Sequence, residues 1–328
     1  MLVREILQGW GRILTGGVPF LSIEITRECP LSCPGCYAYN TDHLGGALLL
    51  REVSDYRGDA LVQGILRLVD EYRPVQVSLV GGEPLVRFRE LTVLLPQLEE
   101  RGIFVQVVTS AVRPIPDEWR RIRNMCVAVS IDGLPAEHDV RRKPATYDRI
   151  LKNIAGHPIN IHCTITRPMT ERPGYLREFL EFWTPRPNVR KIWMSIFTPQ
   201  KGETSSEIVP PAARRSIIDE MSILNREFPK LQMPDSLLDV FRAPPENPNE
   251  CLFARTTRSL TADLRQTITP CQFGGDPDCS QCGCVASAGL AAMERARLPG
   301  GMKVGTLYEI SYNVGQWVNS LRKVAPPA

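Results

Sequence analysis

Three cysteines, Cys29, Cys33 and Cys36, share the stretch Thr26-Arg-Glu-Cys-Pro-Leu-Ser-Cys-Pro-Gly-Cys-Tyr37. The C-x3-C-x2-C spacing puts three soft ligands in one loop. Four thiolates would close a zinc or iron–sulfur site, whereas three leave one metal position open, and an open position means chemistry rather than structure. Pro30 and Pro34 stiffen this loop, and Gly35 lets backbone approach a bound group. A second group, Cys251, Cys271, Cys279, Cys282 and Cys284, ends in Cys-Ser-Gln-Cys-Gly-Cys. Four of these suffice for a closed site, and a C-x2-C pair suits zinc and iron–sulfur equally. We take Cys251, Cys271, Cys279 and Cys282 as the set, with Cys284 an alternative to Cys282. Cys126 and Cys163, each alone in a strand-like segment, read as packing residues.

These residues need a scaffold. Strand-like segments lie at 20–26, 75–80, 103–109, 125–131, 159–166 and 190–197. Helical periodicity occupies 58–73, 87–101, 116–124, 145–155, 173–183 and 211–228. The alternation predicts parallel strands with right-handed crossovers. Strand faces differ. Along 159–166, Ile159, Ile161, Cys163 and Ile165 share one face, and Asn160, His162, Thr164 and Thr166 share the other. Ser22, Glu24 and Thr26, Gln76 and Ser78, and Ser130 and Asp132 continue the polar face. The strands of a filled, closed barrel would be apolar on both faces. Here the polar face is expected to line a cavity, with Glu24, His162 and Ser195 inside. Ala243-Pro-Pro-Glu-Asn-Pro-Asn-Glu250 reads as a linker, and Ser259 to Thr269 as a β-hairpin.

Composition narrows the classes. The 328 residues carry 39 basic and 36 acidic side chains, net +3, which gives no field for nucleic acid. No apolar run reaches the ~20 residues of a membrane span. Ten cysteines without an export signal point to metal or redox use in the cytoplasm rather than to disulfides. Leu2, Val3, Ile6, Leu7, Trp10, Ile13 and Leu14 form an apolar stripe at helical spacing. It is expected to pack on the open side of the barrel; contact of residues 1–15 with a membrane or lipid is the alternative.

The cysteine loop after the first strand resembles that of the radical S-adenosylmethionine (radical SAM) superfamily. Ser78-Leu-Val-Gly-Gly-Glu-Pro84 resembles its Gly-Gly-Glu segment, and Ser130-Ile-Asp-Gly133 with His138-Asp-Val-Arg-Arg142 resembles a run found in members with a C-terminal auxiliary-cluster domain. The second cysteine group looks like the SPASM or twitch regions of such enzymes, although a full SPASM region usually has more cysteines. The resemblance implies an α/β fold, a partial (β/α)6 TIM-like barrel with a small C-terminal cysteine-rich β-hairpin/helix extension. It divides the chain into an amphipathic segment 1–19, a barrel 20–242 and an auxiliary region 243–328. It also implies a [4Fe-4S] cluster on Cys29, Cys33 and Cys36 whose fourth iron binds SAM, and an auxiliary iron–sulfur cluster. Gly81, Gly82 and Glu83 would hold the SAM ammonium, Ser130 and Asp132 the ribose, and Arg142 the carboxylate. Thr109 stands where the family often has Thr-Asn-Gly. Position 35 departs from the family, which often has an aromatic residue there; Tyr37 is the substitute expected to cover the adenine. His138 and Asp139 are expected to order their loop.

The activity so implied is reductive cleavage of SAM to a 5′-deoxyadenosyl radical, which abstracts hydrogen from a peptide or small metabolite. A one-electron reductant such as flavodoxin or ferredoxin would supply the electron. With only ~20 residues before the first strand, no leader-binding domain is expected ahead of the barrel. A non-catalytic iron–sulfur or zinc module on the same fold and an RNA-modifying enzyme are the alternatives.

Overall fold

The computed structural model describes residues 3–46, 48–144 and 146–324. Seven strands form one parallel sheet: β1 (Phe20–Glu24), β2 (Gln76–Val80), β3 (Phe104–Thr109), β4 (Met125–Ser130), β5 (Ile159–Ile165), β6 (Val189–Ile196) and β7 (Thr257–Leu260). The order is β6-β5-β4-β3-β2-β1-β7, so the sheet is open, with β6 and β7 at its two edges. Each strand buries its β-branched face. Ile159, Ile161, Cys163 and Ile165 are each at most 1% exposed, as the alternation requires.

Helices α2 (Gly58–Tyr72), α3 (Phe88–Glu100), α4 (Pro135–Arg141), α5 (Tyr147–Asn153), α6 (Arg167–Thr170), α7 (Tyr175–Trp183) and α8 (Pro211–Glu227) follow β1 to β6 as crossovers; β3 is followed only by a 3-10 turn, Asp117–Arg121. Three- and four-residue spacing explains their buried stripes. In α3 these are Leu91, Leu94, Leu95 and Leu98, and in α7 Tyr175, Leu176, Phe179, Leu180 and Trp183. α2 ends at Arg73, whose left-handed φ of 49° closes the helix through an N–H bond to the Val69 carbonyl.

Helix α1 (Val3–Leu14) does not pack on the barrel's open side. It lies against the segments that precede β2 and β3, and against the C-terminal helix α12 (Val304–Val324). Arg12 donates to the carbonyls of Pro74 (2.5 Å) and Arg101, Trp10 meets Tyr308 edge-on at 6.4 Å, and Ile13 is buried. Leu2 lies outside the described residues, as do the side chains of Val3, Ile6 and Leu7. Among the described residues no helix is long and apolar enough to cross a membrane.

Beyond α9 (Asp235–Arg242), the chain returns to the barrel through α10 (Leu252–Thr256) and β7. The expected hairpin is therefore only partly realised. Its first arm is the seventh strand, parallel to β1 with Ser22 beside Ser259, and a single antiparallel bridge, Leu260 to Thr267, closes the turn. Ser259 and Leu260 pair with the barrel because β1 would otherwise leave a row of backbone groups unpaired. The last cysteines are stitched to β6: the Ile196 N–H donates to the Gly283 carbonyl at 2.9 Å. They then lead into α11 (Val285–Arg295), which packs against α9, α10 and α12.

A Cβ on Gly283 would stand 2.0 Å from the Ile196 carbonyl oxygen. Gly283→Ala must push the cysteine segment off β6, at about 1–3 kcal/mol for an overpacked contact. Thermal unfolding of the variant should show a clearly lower Tm; an unchanged Tm would mean that this contact is slack.

Candidate functional site

All candidate side chains of the barrel converge at the C-terminal ends of the strands, where α/β folds bind ligands. The loop after β1 carries the three cysteines, and the turn after β2 is bonded to it. Gly82 N donates to the Thr26 carbonyl and Glu83 N to the Glu28 carbonyl, both at 2.8 Å. Gly81 adopts a φ of +121°, and a Cβ on Gly82 would lie 2.2 Å from the Glu28 oxygen, so only glycine allows this approach. Arg87, nearly buried, donates to Asp55 (2.7 Å) and Glu28 (3.1 Å) and fixes the loop's first residues.

Glu83 is fully buried. Its carboxylate accepts from Leu85 N (2.9 Å), Ser110 N (2.8 Å) and the Thr109 hydroxyl. Desolvation raises its pKa above the ordinary carboxylate value, against the pull of these donors. Thr109 accepts in turn from Ala111 N at 2.9 Å. Ala111 has a φ of +50°, so alanine here adopts the conformation that the glycine of Thr-Asn-Gly would take without strain.

Asp132 is the centre of a second network. Its Oδ1 accepts from Thr164 N (2.9 Å), and its Oδ2 from Arg142 Nε (2.7 Å) and Arg141 Nη1. Burial alone would raise the Asp132 pKa, but the two guanidiniums hold it well below the usual range. Arg142 also donates to Ser110 Oγ at 3.0 Å. Arg141 grips Glu207 through Nε (2.6 Å) and Nη2 (3.1 Å). A Cβ on Gly35 would stand 2.4 Å from Glu207 Oε2 and 3.3 Å from the Phe197 ring. Glu207 and Phe197 thus fill the space beside position 35, where the family often has an aromatic side chain. Ser130 makes no hydrogen bond through its hydroxyl among the described residues. His138 Nδ1 accepts from Asp132 N (3.1 Å), and Asp139 accepts from Tyr147 N (2.8 Å).

The polar strand faces do point inward. His162 Nε2 lies 2.8 Å from Ser195 Oγ, and Ser195 Oγ accepts from Val285 N at 3.2 Å. His43 donates Nδ1–H to the Phe273 carbonyl (2.9 Å) and sets Nε2 2.8 Å from Glu24 Oε1. Desolvation alone would lower the His43 pKa, but the hydrogen bond and charge of Glu24 raise it. Tyr37 packs edge-on to His43 (5.6 Å) and Phe273 (5.3 Å), which places its ring between the first cysteine loop and the second cysteine segment.

Cys29, Cys33 and Cys36 are half-buried and free. Burial pushes the Cys29 thiol up to about 12 and that of Cys33 in the same direction. Cys251, Cys271, Cys279, Cys282 and Cys284 line one cavity with Phe253, Phe273 and Ser287. Burial raises Cys271 to about 12, and the charges of Cys282, Cys251 and Cys279 add to this; Cys279 is raised to about 11. Cys284 lines the same cavity but is the buried one of the five; it occupies the N-cap position of α11 and accepts from Gln272 Nε2 at 3.3 Å. Among the described residues no three His, Cys, Asp or Glu side chains are gathered as a single-ion site.

The motif residues were legible in the sequence; Asp55, Arg87, Arg141, Glu207 and His43 were missed. Arg141 and Arg142 could be told apart only by the turn that aims them. For Arg87 a signal existed, a cation four residues after Glu83 at a strand's C-terminal end. Glu207 and His43 sit in loops with no motif.

The comparisons agree with this geometry. Residues 23–170 match the Radical SAM superfamily, so this part of the chain is a radical SAM domain. A [4Fe-4S] cluster and SAM are the cofactors of that superfamily. Among curated proteins the chain is similar to the PqqA peptide cyclase of Xanthomonas campestris pv. campestris (strain 8004), 27% identical over 271 residues, 76% of this chain and 66% of that protein. It is also similar to the PqqA peptide cyclase of Xanthomonas oryzae pv. oryzae (strain MAFF 311018), 29% identical over 189 residues, 53% of this chain and 48% of that protein. The chain thus spans less than two thirds of the length of these relatives. Native anSMEcpe with bound AdoMet shares the fold, with a TM-score of 0.56 at 14% identity over 92% of this chain and 97% of that one. Streptococcus suis SuiB bound to its precursor peptide SuiA does so with a TM-score of 0.54 at 14% identity, over 94% of this chain and 68% of that one.

His138 yields a pH dependence. Desolvation and the Arg142 charge hold its pKa down at about 4, against ~6.5 in an unfolded chain. The unfolded state then binds the extra proton first, so stability is full above ~6.5 and falls as pH drops towards the folded value, by on the order of 3 kcal/mol. Tm of the apo protein should decline over this window, and His138→Gln should make the decline shallower without removing it, because burial holds His162 down to about 4 as well. An equal slope in both proteins would remove His138 as its source.

Proposed function

We propose that this chain is a radical SAM enzyme that acts on a peptide. The observation that carries the reading is the Gly81-Gly82-Glu83 turn hydrogen-bonded to the backbone just ahead of Cys29. It brings the cysteine loop and a glycine backbone side by side at the strand ends. The donor set fits the cofactors: three soft ligands suit iron, and bare glycine backbone suits the approach of an ammonium. Relatives that are peptide cyclases, and a fold shared with a precursor-peptide complex, support a peptide substrate.

In this reading Cys29, Cys33 and Cys36 hold the cluster. Gly81 and Gly82 present carbonyls to the SAM ammonium, the free Ser130 hydroxyl meets the ribose, and Arg142 faces the carboxylate. Glu83, Thr109 and Asp132 serve chiefly by position, since their polar atoms are taken up by Ser110, Ala111, Thr164 and the two arginines. Tyr37 forms the wall towards the second cysteine segment. Bound here, cluster and SAM would supply a one-electron cleavage that yields methionine and a 5′-deoxyadenosyl radical, with flavodoxin or ferredoxin as reductant. The protein's own part is to orient the sulfonium and exclude water, and small misplacements there are costly in rate. Cys251, Cys271, Cys279 and Cys282 would hold an auxiliary cluster, with Cys284, which lines the same cavity, the alternative to Cys282.

Reconstituted and reduced protein should form 5′-deoxyadenosine from SAM. Replacing Cys29, Cys33 and Cys36 with Ala should abolish this and remove about one cluster's iron while the second cluster's iron remains. A fully iron-loaded wild type that forms no 5′-deoxyadenosine would leave a non-catalytic module as the better account.

Glu83→Ala leaves three buried donors unpaired, at about 1–3 kcal/mol each. We expect a lower Tm and loss of SAM cleavage together. A variant with normal Tm and weakened SAM binding would instead make Glu83 a direct ligand of the cofactor.

A further inference from the structure

Arg214, in the first turn of α8, carries a half-buried guanidinium with an unusual set of partners. Nη1 donates to the Gln281 carbonyl (3.1 Å), and Nη2 to the carbonyls of Cys282 (2.6 Å) and Phe241 (3.2 Å). Every hydrogen-bond partner is a neutral carbonyl, and the Phe241 ring lies 6.0 Å from the guanidinium carbon. Among the described residues no carboxylate lies within ion-pair distance of it, unlike Arg87, Arg141 and Arg142. The nearest acid in the segment, Asp278, is already bonded to Ser280 N (3.1 Å), Ser280 Oγ (2.6 Å) and Gln281 Nε2 (2.7 Å). Removing a cation from water without a counter-charge costs several kcal/mol. The fold tolerates such a cation where a negative group completes it, and the carbonyls that Arg214 holds belong to Gln281 and Cys282, inside the segment that carries Cys279, Cys282 and Cys284.

We propose that Arg214 is a positioning residue of the second metal centre: it pins the 279–284 segment through the Gln281 and Cys282 carbonyls and sets a fixed positive charge against the thiolates. This rests on the reading of Cys251, Cys271, Cys279 and Cys282 as an iron–sulfur site. A centre with four thiolate ligands is anionic and gains a further negative charge on reduction, so a fixed cation favours the reduced state and raises the potential. The sequence gives no hint of this role, because Arg214 is one arginine of a pair, Arg214 and Arg215, on a helix 37 positions ahead of Cys251, the first cysteine of its group.

The test uses the reconstituted full chain, with metal and sulfide analysis followed by an EPR-monitored redox titration. The signal that added SAM leaves unchanged reports the second centre. Arg214→Gln should shift that centre to a more negative potential and leave the SAM-responsive centre where it is. Arg214→Lys, which keeps the charge, should recover most of the shift. If Arg214→Gln retains the second centre at an unchanged potential, the proposal fails. It fails also if the lysine variant behaves like the glutamine one, because the arginine would then act only as a brace. Should the glutamine variant lose the second centre, retention by the lysine variant at the wild-type potential supports the proposal, and loss there too overturns it. Zinc in place of iron in the wild type would overturn the iron–sulfur reading, and this inference with it, before any variant is compared.

Discussion

The buried carboxylate of Asp132 is the interaction on which the barrel mouth depends. A carboxylate with no exposure cannot remain charged unless it is paired, and Asp132 is paired twice, with Arg141 and Arg142. Each guanidinium then reaches elsewhere: Arg142 to Ser110 at the end of β3, and Arg141 to Glu207 beside the cysteine loop. Thr164 N on β5 completes the carboxylate's shell. One charge thus ties three strand ends to the loop that holds the thiol triad. The two acids and two arginines sum to no net charge, so the network can be buried beside thiols without setting a large field of its own.

A second constraint joins the two cysteine groups. Glu24 on β1 and the Phe273 carbonyl hold opposite sides of the His43 ring, and Tyr37 packs against both His43 and Phe273. The approach is tight: a Cβ on Gly274 would lie 1.9 Å from the His43 oxygen. Together with β7, which is paired to β1, and Gly283, which is bonded to β6, these contacts fasten the C-terminal segment to the barrel at both edges of the sheet. The auxiliary cysteines are therefore placed by the barrel itself rather than by a region that merely follows it.

The departures from the family pattern become intelligible in these terms. Gly35 lacks an aromatic side chain because Glu207, anchored by Arg141, occupies the adjoining space. Ala111 keeps the left-handed turn at the end of β3 at some cost in strain, because the Thr109–Glu83 contact needs that turn.

The sequence by itself determined the order of the first six strands and most of the helices between them, the polar and apolar strand faces, and the two cysteine groups. Periodicity and ligand spacing are local properties, and a stretch such as Ile159 to Thr166 shows both of its faces within eight residues. Tertiary structure alone decided what each charge was for. Arg141 and Arg142 are neighbours in the chain but divide their work between Asp132, Glu207 and Ser110. Glu207 lies 75 positions beyond Asp132, and Phe273 230 positions beyond His43. Such pairings carry no local signature, because a buried ion pair or a ring against a carbonyl is fixed by how loops meet at the strand ends. The same holds for β7: Thr257 to Leu260 could serve as a hairpin arm or as a barrel strand, and only the unpaired edge of β1 selected the second.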